Sequence, residues 1–586
     1  MTAAPAALQF DGITPLGKVA SVDTSRVAVD VSDSVLLTRI GVGNLMAIRG
    51  TTEAEFLIAI VERVTRSMQE ELQEAEPGEQ EDALQYVEAP RDLVRAAMIG
   101  TFRTVDGEKR NTFKRGADSF PQIDRDCYII EGPNLQRFMG TLGSEYAEAE
   151  RLKLGVFVAD RTAEAVASGD RFFQRHAAIL GSTGSGKSWT VALILERASK
   201  LKYPNILVFD MHGEYAPLAD KTKSGFADRL RIAGPGDLEK PGDDVLFLPY
   251  WLLNRDEMLS MILDRSDQNA PNQASRFTLH VRSLKEKTLR DSMKDEVAKT
   301  FTVDSPIPYP LPDLVSLLHV DNTTKGIGAK GGEVKGELEG KLSRFISRLE
   351  VKLDDRRYGF MFSPPSEANT YDWLAKQLIR LLGSNGGKGI KVIDFSEVPS
   401  DVLPVVTGTL ARLLYDIQFW MDSEKRTPVT LLCDEAHLYL PVKDDADAVQ
   451  KQALAAFERI AKEGRKYGFS LLVVSQRPSD VSKTILSQCN NFLSLRLTNE
   501  ADQNVIKKLM PDALSGLTSI LPLLDTGEAL MLGDAIILPS RIKLDVPTIA
   551  PDSATRDFWK DWGNQASDDE AIAKAVEALR SQTKAR

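Results

Sequence analysis

Eight residues, Gly181-Ser-Thr-Gly-Ser-Gly-Lys-Ser188, constrain this chain more than any other stretch. They fit the pattern G-x-x-x-x-G-K-[ST], in which glycines let successive backbone N–H groups turn inward around a phosphate chain. The flanking residues agree with that reading. An apolar run, Ala177-Ala-Ile-Leu180, leads into the loop as a short strand, and a helical stretch, 188–199, follows it. Lys187 then offers its ammonium to the β- and γ-phosphates, and the Ser188 hydroxyl is suited to ligate Mg²⁺. The helix that follows points its positive dipole end at the same anion. Gly181, Ser182, Thr183, Gly184, Ser185, Gly186, Lys187, Ser188 and Trp189 are therefore the expected nucleotide-binding segment, with ATP and Mg²⁺ as cofactors.

Binding a nucleotide is not hydrolysing it; hydrolysis needs carboxylates. Leu431-Leu-Cys-Asp434-Glu435 supplies two at the end of an apolar strand. Asp434 is expected to hold the Mg²⁺ shell, and Glu435 to orient or deprotonate the attacking water. Gln476, in Val474-Ser-Gln-Arg-Pro478, ends the next strand and is the expected γ-phosphate sensor; the plain alternative is that it begins a loop. Arg175 precedes the first strand, and Arg465 lies in Glu463-Gly-Arg-Lys-Tyr-Gly468. Either can supply positive charge to a neighbouring subunit's transferring phosphoryl group. Taken alone, each reads as a surface or interface arginine before a trans-acting one. Asp210, His212 and Glu214 follow the second strand of the βαβ unit, where carboxylates face the ligand crevice of a parallel sheet. Asp210 is read there as catalytic support, in preference to a metal site built on His212.

The remainder organises around this core. Residues 15–66 alternate apolar and polar side chains, with Phe56–Val61 as a candidate buried strand. Residues 67–86 carry seven acids and no Lys or Arg, and read as an exposed loop. Strands resume at 92–103 and 126–130, so 1–150 is expected as a small, mostly β domain. The α/β alternation occupies 151–239 and 386–550, with strands expected at 205–209, 391–394, 429–433, 470–474 and 492–497. A helical insertion fills 240–385. Within it, 337–354 shows Leu338, Leu342, Phe345, Ile346, Leu349 and Leu353 at helical spacing. Arg344, Arg348 and Lys352 form a basic stripe on the other face, read as a solvated surface before a nucleic-acid contact. Residues 551–586 end in a helix that opens with Ser567-x-x-Glu570, a capping-box pattern.

Composition adds limits. A net charge of −11 from 73 basic and 84 acidic residues excludes a uniformly basic surface, though not a locally basic channel. No apolar run is long enough to span a membrane, and no secretory signal opens the chain. Three cysteines without metal spacing fit a reducing, cytoplasmic setting.

Several segments taken together resemble the HerA/FtsK superfamily, and HerA in particular. They are Arg175-His176 before the loop, Phe209-Asp-Met-His-Gly-Glu-Tyr215, Val392-Ile-Asp-Phe-Ser396, Cys433-Asp-Glu-Ala-His437, Glu463–Gly468, Val474–Pro478 and Gly527-Glu-Ala with Gly533 and Pro539. The resemblance implies a RecA-like P-loop ATPase core with a parallel sheet, preceded by a small β-barrel. It implies a homohexamer with ATP between subunits and double-stranded DNA through the central channel. Lys187, Asp434, Glu435 and Gln476 would act within a site, Arg175 and Arg465 would reach a neighbour's nucleotide, and the C-terminal segment would brace an adjacent protomer. A NurA-like nuclease, or a sirtuin-like or nuclease effector of antiphage defence, is the implied partner. Two classes of function follow. One is an ATP-driven duplex DNA translocase that feeds a nuclease; the other is a nucleotide-gated ring scaffold that assembles an effector.

Overall fold

A computed structural model describes residues 6–52, 54–74, 84–104, 111–116, 119–143, 146–327, 332–383, 388–444, 446–553, 557–564 and 568–583. The chain divides into two compact units, and each is taken by itself. The first comprises Met1–Arg197, Gln476–Ser479 and Cys489–Val546; the second comprises Ala198–Ser475, Asp480–Gln488 and Pro547–Arg586.

The first unit opens with a closed antiparallel barrel. Its strands run in the order Arg26–Asp30, Gly17–Val22, Asp126–Ile129, Leu45–Arg49, Glu55–Glu74 and Leu84–Thr104, and the last pairs back onto the first. Closure removes the free edges that an open sheet would expose. Val19, Val27, Val29, Met46, Ile48, Leu57, Ala59, Val61, Val94 and Ala96 belong to one buried apolar cluster. The Phe56–Val61 run is apolar without alternation because its other face is covered too: Phe10 packs edge-on to Phe56, and Phe138 of the helix Gly132–Gly143 packs edge-on to Phe102.

Here the expected acidic loop is corrected. The strand pairing continues to Glu74 opposite Leu84, so 67–74 and 84–86 are paired antiparallel strands rather than loop; residues 75–83 lie outside the described residues. The acidic composition concealed a backbone ladder, which needs no apolar side chains to form.

The same unit holds six strands in the order Ala177–Leu180, Asn491–Ser494, Glu528–Gly533, Ser540–Leu544, Arg151–Phe157 and Glu164–Ser168. Only the first pair is parallel, Ala177 opposite Asn491; the others are antiparallel. The expected parallel core is thus extended by an antiparallel region that alternation along the chain does not announce.

The second unit holds a fully parallel set in the order Val245–Leu246, Asp228–Ile232, Ile390–Asp394, Ile206–Asp210, Val429–Cys433 and Phe469–Ser475. Five of these strands, all but Asp228–Ile232, are buried at every position, as parallel strands covered on both faces must be. Residues 240–385 contain the helices Arg255–Ile262, Ala270–Asp291, Leu311–Thr323, Ser343–Asp354 and Trp373–Leu382 among others. The helix expected from 337 starts only at Ser343, because Gly340 turns the chain at φ 75°. Its basic stripe is largely paired within the unit: Arg348 with Asp264 at 2.9 Å, and Lys352 with Asp401 at 2.9 Å. The C-terminal helix runs Asp569–Ser581, and its N-cap is Asp568, which accepts from the Ala571 N–H; Ser567 lies outside the described residues.

One buried ion pair ties the insertion to the sheet layer. Glu257 closes a capping box with Asn254 and accepts two bonds from Arg412, at 2.7 and 2.8 Å, while Arg412 also donates to the Leu252 carbonyl. Removing the carboxylate takes away the bidentate partner of a largely buried guanidinium, leaving it the Leu252 carbonyl and the looser Asp416 at 3.6 Å. Glu257→Ala is expected to destabilise this unit by about 3–5 kcal/mol, read as a lowered denaturation midpoint.

Candidate nucleotide site

The phosphate loop belongs to the first unit. Gly184 and Gly186 sit at φ 72° and 103°, conformations that side-chain-bearing residues rarely adopt, and these turns face the loop's N–H groups inward. Lys187 is buried and its Nζ lies 3.4 Å from the Ser182 carbonyl, so the ammonium folds back over the loop it follows. The helix Lys187–Ser199 begins there, with Thr190 N–H donating to the Gly186 carbonyl at 2.9 Å. Trp189 is 40% exposed, an unusual place for a large aromatic unless another molecule covers it. Gln476 meets this loop: the Thr183 hydroxyl donates to its Oε1 at 2.6 Å.

Behind the loop lies a support that sequence reasoning missed. Gly527 N–H donates to the Ser185 carbonyl at 3.1 Å, and Ser182 N–H donates to the Arg496 carbonyl at 2.8 Å. Gly527-Glu-Ala was visible as a family-like string, but nothing local placed it against the P-loop. The packing is close. A Cβ on Gly181 would lie 2.6 Å from Ser185 Oγ and 2.9 Å from Leu495 Cβ. Gly181→Ala is therefore expected to displace the loop and weaken binding of a non-hydrolysable ATP analogue, measured by calorimetry against a retained denaturation midpoint.

The carboxylates belong to the second unit. Asp434 and Glu435 end the strand Val429–Cys433, both buried. Burial, then the charges of Glu435, Asp210 and Glu214, push the Asp434 carboxyl well above its usual range. Glu435 adopts φ 44°, a left-handed conformation that costs a non-glycine residue about 1–3 kcal/mol and recurs at functional positions. Its Oε2 is buried and accepts no hydrogen bond from a described residue; His437 Nδ1 stands 3.3 Å away, within ion-pair range but not in bonding geometry. An acceptor in that state is suited to take a proton or a water.

Asp210 has a different part. Its oxygens accept from the N–H groups of Gly213, Glu214 and Tyr215 at 2.8, 3.0 and 2.9 Å, so its carboxylate shapes the 211–215 turn. Burial, against those bonds and with the charge of Asp394, lifts it to about 6. Tyr215, unremarked from sequence, is fully buried, is close enough to Asp434 and Asp210 to feel their charge, and has a hydroxyl with no partner among the described residues. His212 is exposed and belongs to no metal cage; among the described residues no group of three or more His, Cys, Asp or Glu is set to hold an ion. The excess negative charge around Asp434 suits a cation.

The two candidate arginines differ. Arg465 is exposed on the short turn Gly464–Tyr467 and forms no ion pair with a described residue. The turn is anchored by Tyr467, packed on Phe419 and Tyr415 and covered by Arg426. Arg175, in the first unit, is instead bound to Asp534.

Residues 152–414 match the family model described as "Helicase HerA, central domain". A probable helicase of Methanocaldococcus jannaschii is 26% identical over 75% of this chain and 75% of its own length. The DNA double-strand break repair helicase HerA of Saccharolobus solfataricus is 26% identical over 71% of this chain and 74% of its own. Among solved structures, VirB4 of Thermoanaerobacter pseudethanolicus superposes with a TM-score of 0.44 at 16% identity, over 68% of this chain and 97% of that one. Through residues 152–414, which carry the phosphate loop, the chain is similar to the central domain of HerA helicases, and it is a P-loop ATPase.

Proposed function

We propose that this protein is the subunit of a homohexameric, ATP-driven motor that translocates double-stranded DNA and works with a nuclease or defence effector. The observation that carries the reading is Glu435, a buried, strained carboxylate with an unbonded oxygen at the end of the strand where a hydrolytic base belongs. Lys187 and the loop N–H groups bind the phosphates. Glu435 holds and deprotonates the attacking water, and Gln476, through Thr183, reports whether the γ-phosphate is present. Mg²⁺, with Ser188 as ligand and Asp434 holding its water shell, supplies charge neutralisation at the phosphates. Arg175 and Arg465 act on the nucleotide of an adjacent subunit.

Relatives named as DNA repair helicases support the DNA substrate, and no helix among the described residues is long and apolar enough to cross a membrane. The test is steady-state ATP hydrolysis by the assembled protein with and without duplex DNA, alongside displacement of a protein roadblock from that duplex. Stimulation and displacement are expected. If neither occurs while nucleotide still binds, the motor reading fails and the ring acts as a nucleotide-gated scaffold.

A further inference from the structure

Asp534 lies in the turn that follows the strand Glu528–Gly533, and three side chains from distant parts of the chain converge on it. Arg175 Nη1 donates to its Oδ2, Asn490 Nδ2 donates to the same oxygen at 3.2 Å, and Arg115 Nη1 stands 3.6 Å from Oδ1. Arg115 ends the strand Asn111–Arg115, which pairs along the barrel strand Leu84–Thr104. It also donates to the carbonyls of Gly533, Ile536 and Ile537, so it grips the turn as well as its acid.

The backbone of Arg175 is held on both sides. Its N–H donates to the Arg171 carbonyl at 3.3 Å, and its own carbonyl accepts from Asn490 N–H at 3.1 Å. His176, next in sequence, is buried at φ 49°, a strained conformation. What this backbone leaves free is the direction of the guanidinium. The side chain is 37% exposed, its Nε is buried without a partner among the described residues, and only Nη1 is engaged by a carboxylate. A long side chain with about 2 kcal/mol of rotamer entropy makes a poor trans-acting group unless something orients it.

We propose that Asp534 is a positioning residue: it fixes the direction in which Arg175 is presented to the neighbouring subunit's nucleotide, and Arg115 makes that direction depend on the N-terminal barrel. The proposal rests on the reading of Arg175 as a group shared between subunits. It supplies a route by which anything that shifts the barrel alters hydrolysis, because Arg115 and Arg175 share one carboxylate. Burial raises the Asp534 carboxyl, but hydrogen bonds from Arg175 and Asn490 and the two arginine charges outweigh it and hold the group below its usual range. It therefore stays ionised at neutral pH.

The experiment uses full-length assembled protein. Asp534→Ala is expected to lower kcat for ATP by about 10- to 100-fold, the loss of one charge-assisted hydrogen bond expressed as a rate. KM for ATP should stay near the wild-type value, because the variant's own phosphate loop is intact. In rings mixed with Lys187→Ala subunits, which keep Arg175 and Asp534 but not the phosphate lysine, activity should partly recover. Arg175→Ala is mixed in parallel. Recovery with Arg175→Ala but not with Asp534→Ala overturns the positioning role and leaves the shared site standing. Recovery with neither overturns the shared site and the proposal with it. A rise in kcat for Asp534→Ala also overturns the proposal, since it would make the carboxylate a restraint on Arg175. Should Asp534→Ala not assemble, Asp534→Asn, which keeps the shape and an acceptor but not the charge, is read by the same criteria.

Discussion

Glu435→Gln is expected to cut ATP turnover by about 10²- to 10⁴-fold while leaving ATP bound, because the change removes a base and keeps its shape. The buried setting favours a clean result. Glu435 Oε2 accepts no bond from a described residue, so an amide there breaks no existing hydrogen bond. Removing one negative charge also relieves Asp434, whose carboxyl Glu435 helps to push upward. The folded protein should therefore be at least as stable as the parent. Single-turnover hydrolysis alongside retention of labelled ATP after gel filtration measures both halves of the expectation. Hydrolysis within a few fold of the parent would remove Glu435 from the chemistry. The same variant separates motor from scaffold: an effector that stays fully active on the ATP-trapped ring needs no translocation.

Arg465→Ala is the second large effect, a loss of about 10³-fold in turnover with ATP affinity retained. The side chain is exposed and unpaired by any described acid, so the substitution should cost little stability. Tyr467, packed on Phe419 and Tyr415, keeps the turn in place when the arginine is gone. Mixing Arg465→Ala with Lys187→Ala subunits should restore part of the activity, since each supplies what the other lacks. A lone monomer that hydrolyses ATP at full rate, with or without Arg465, would refute any role across a subunit boundary. The two candidate arginines differ in setting: Arg175 is bound by a carboxylate, and Arg465 is exposed on a short turn.

Much of the candidate site was legible in the sequence because each of its motifs is local. A phosphate loop needs glycines, a lysine and a hydroxyl at fixed spacing between a strand and a helix, and all of that is written within Ala177–Ser199. The acid pair Asp434-Glu435 is likewise marked by its own strand. The strands themselves were found to within a residue or two wherever they were short and apolar, as at 177–180, 206–210 and 429–433.

The misreading at 67–86 has a physical cause. The segment looked like a loop because side-chain polarity was the only signal, whereas backbone pairing of 67–74 with the strand Leu84–Thr104 decides the structure of its described part. The bonds from the 211–215 turn to both oxygens of Asp210 likewise leave no mark in the side-chain pattern.

By itself the sequence marked the candidate residues for nucleotide binding and hydrolysis, since each motif spans only a few positions of the chain. Tertiary structure alone decided what stands behind and beside them: Gly527 supporting a loop more than three hundred residues earlier, and Asp534 joining Arg115 to Arg175. Such contacts depend on which strands become neighbours, and backbone hydrogen bonds, nearly the same for every residue, leave no local mark of that choice.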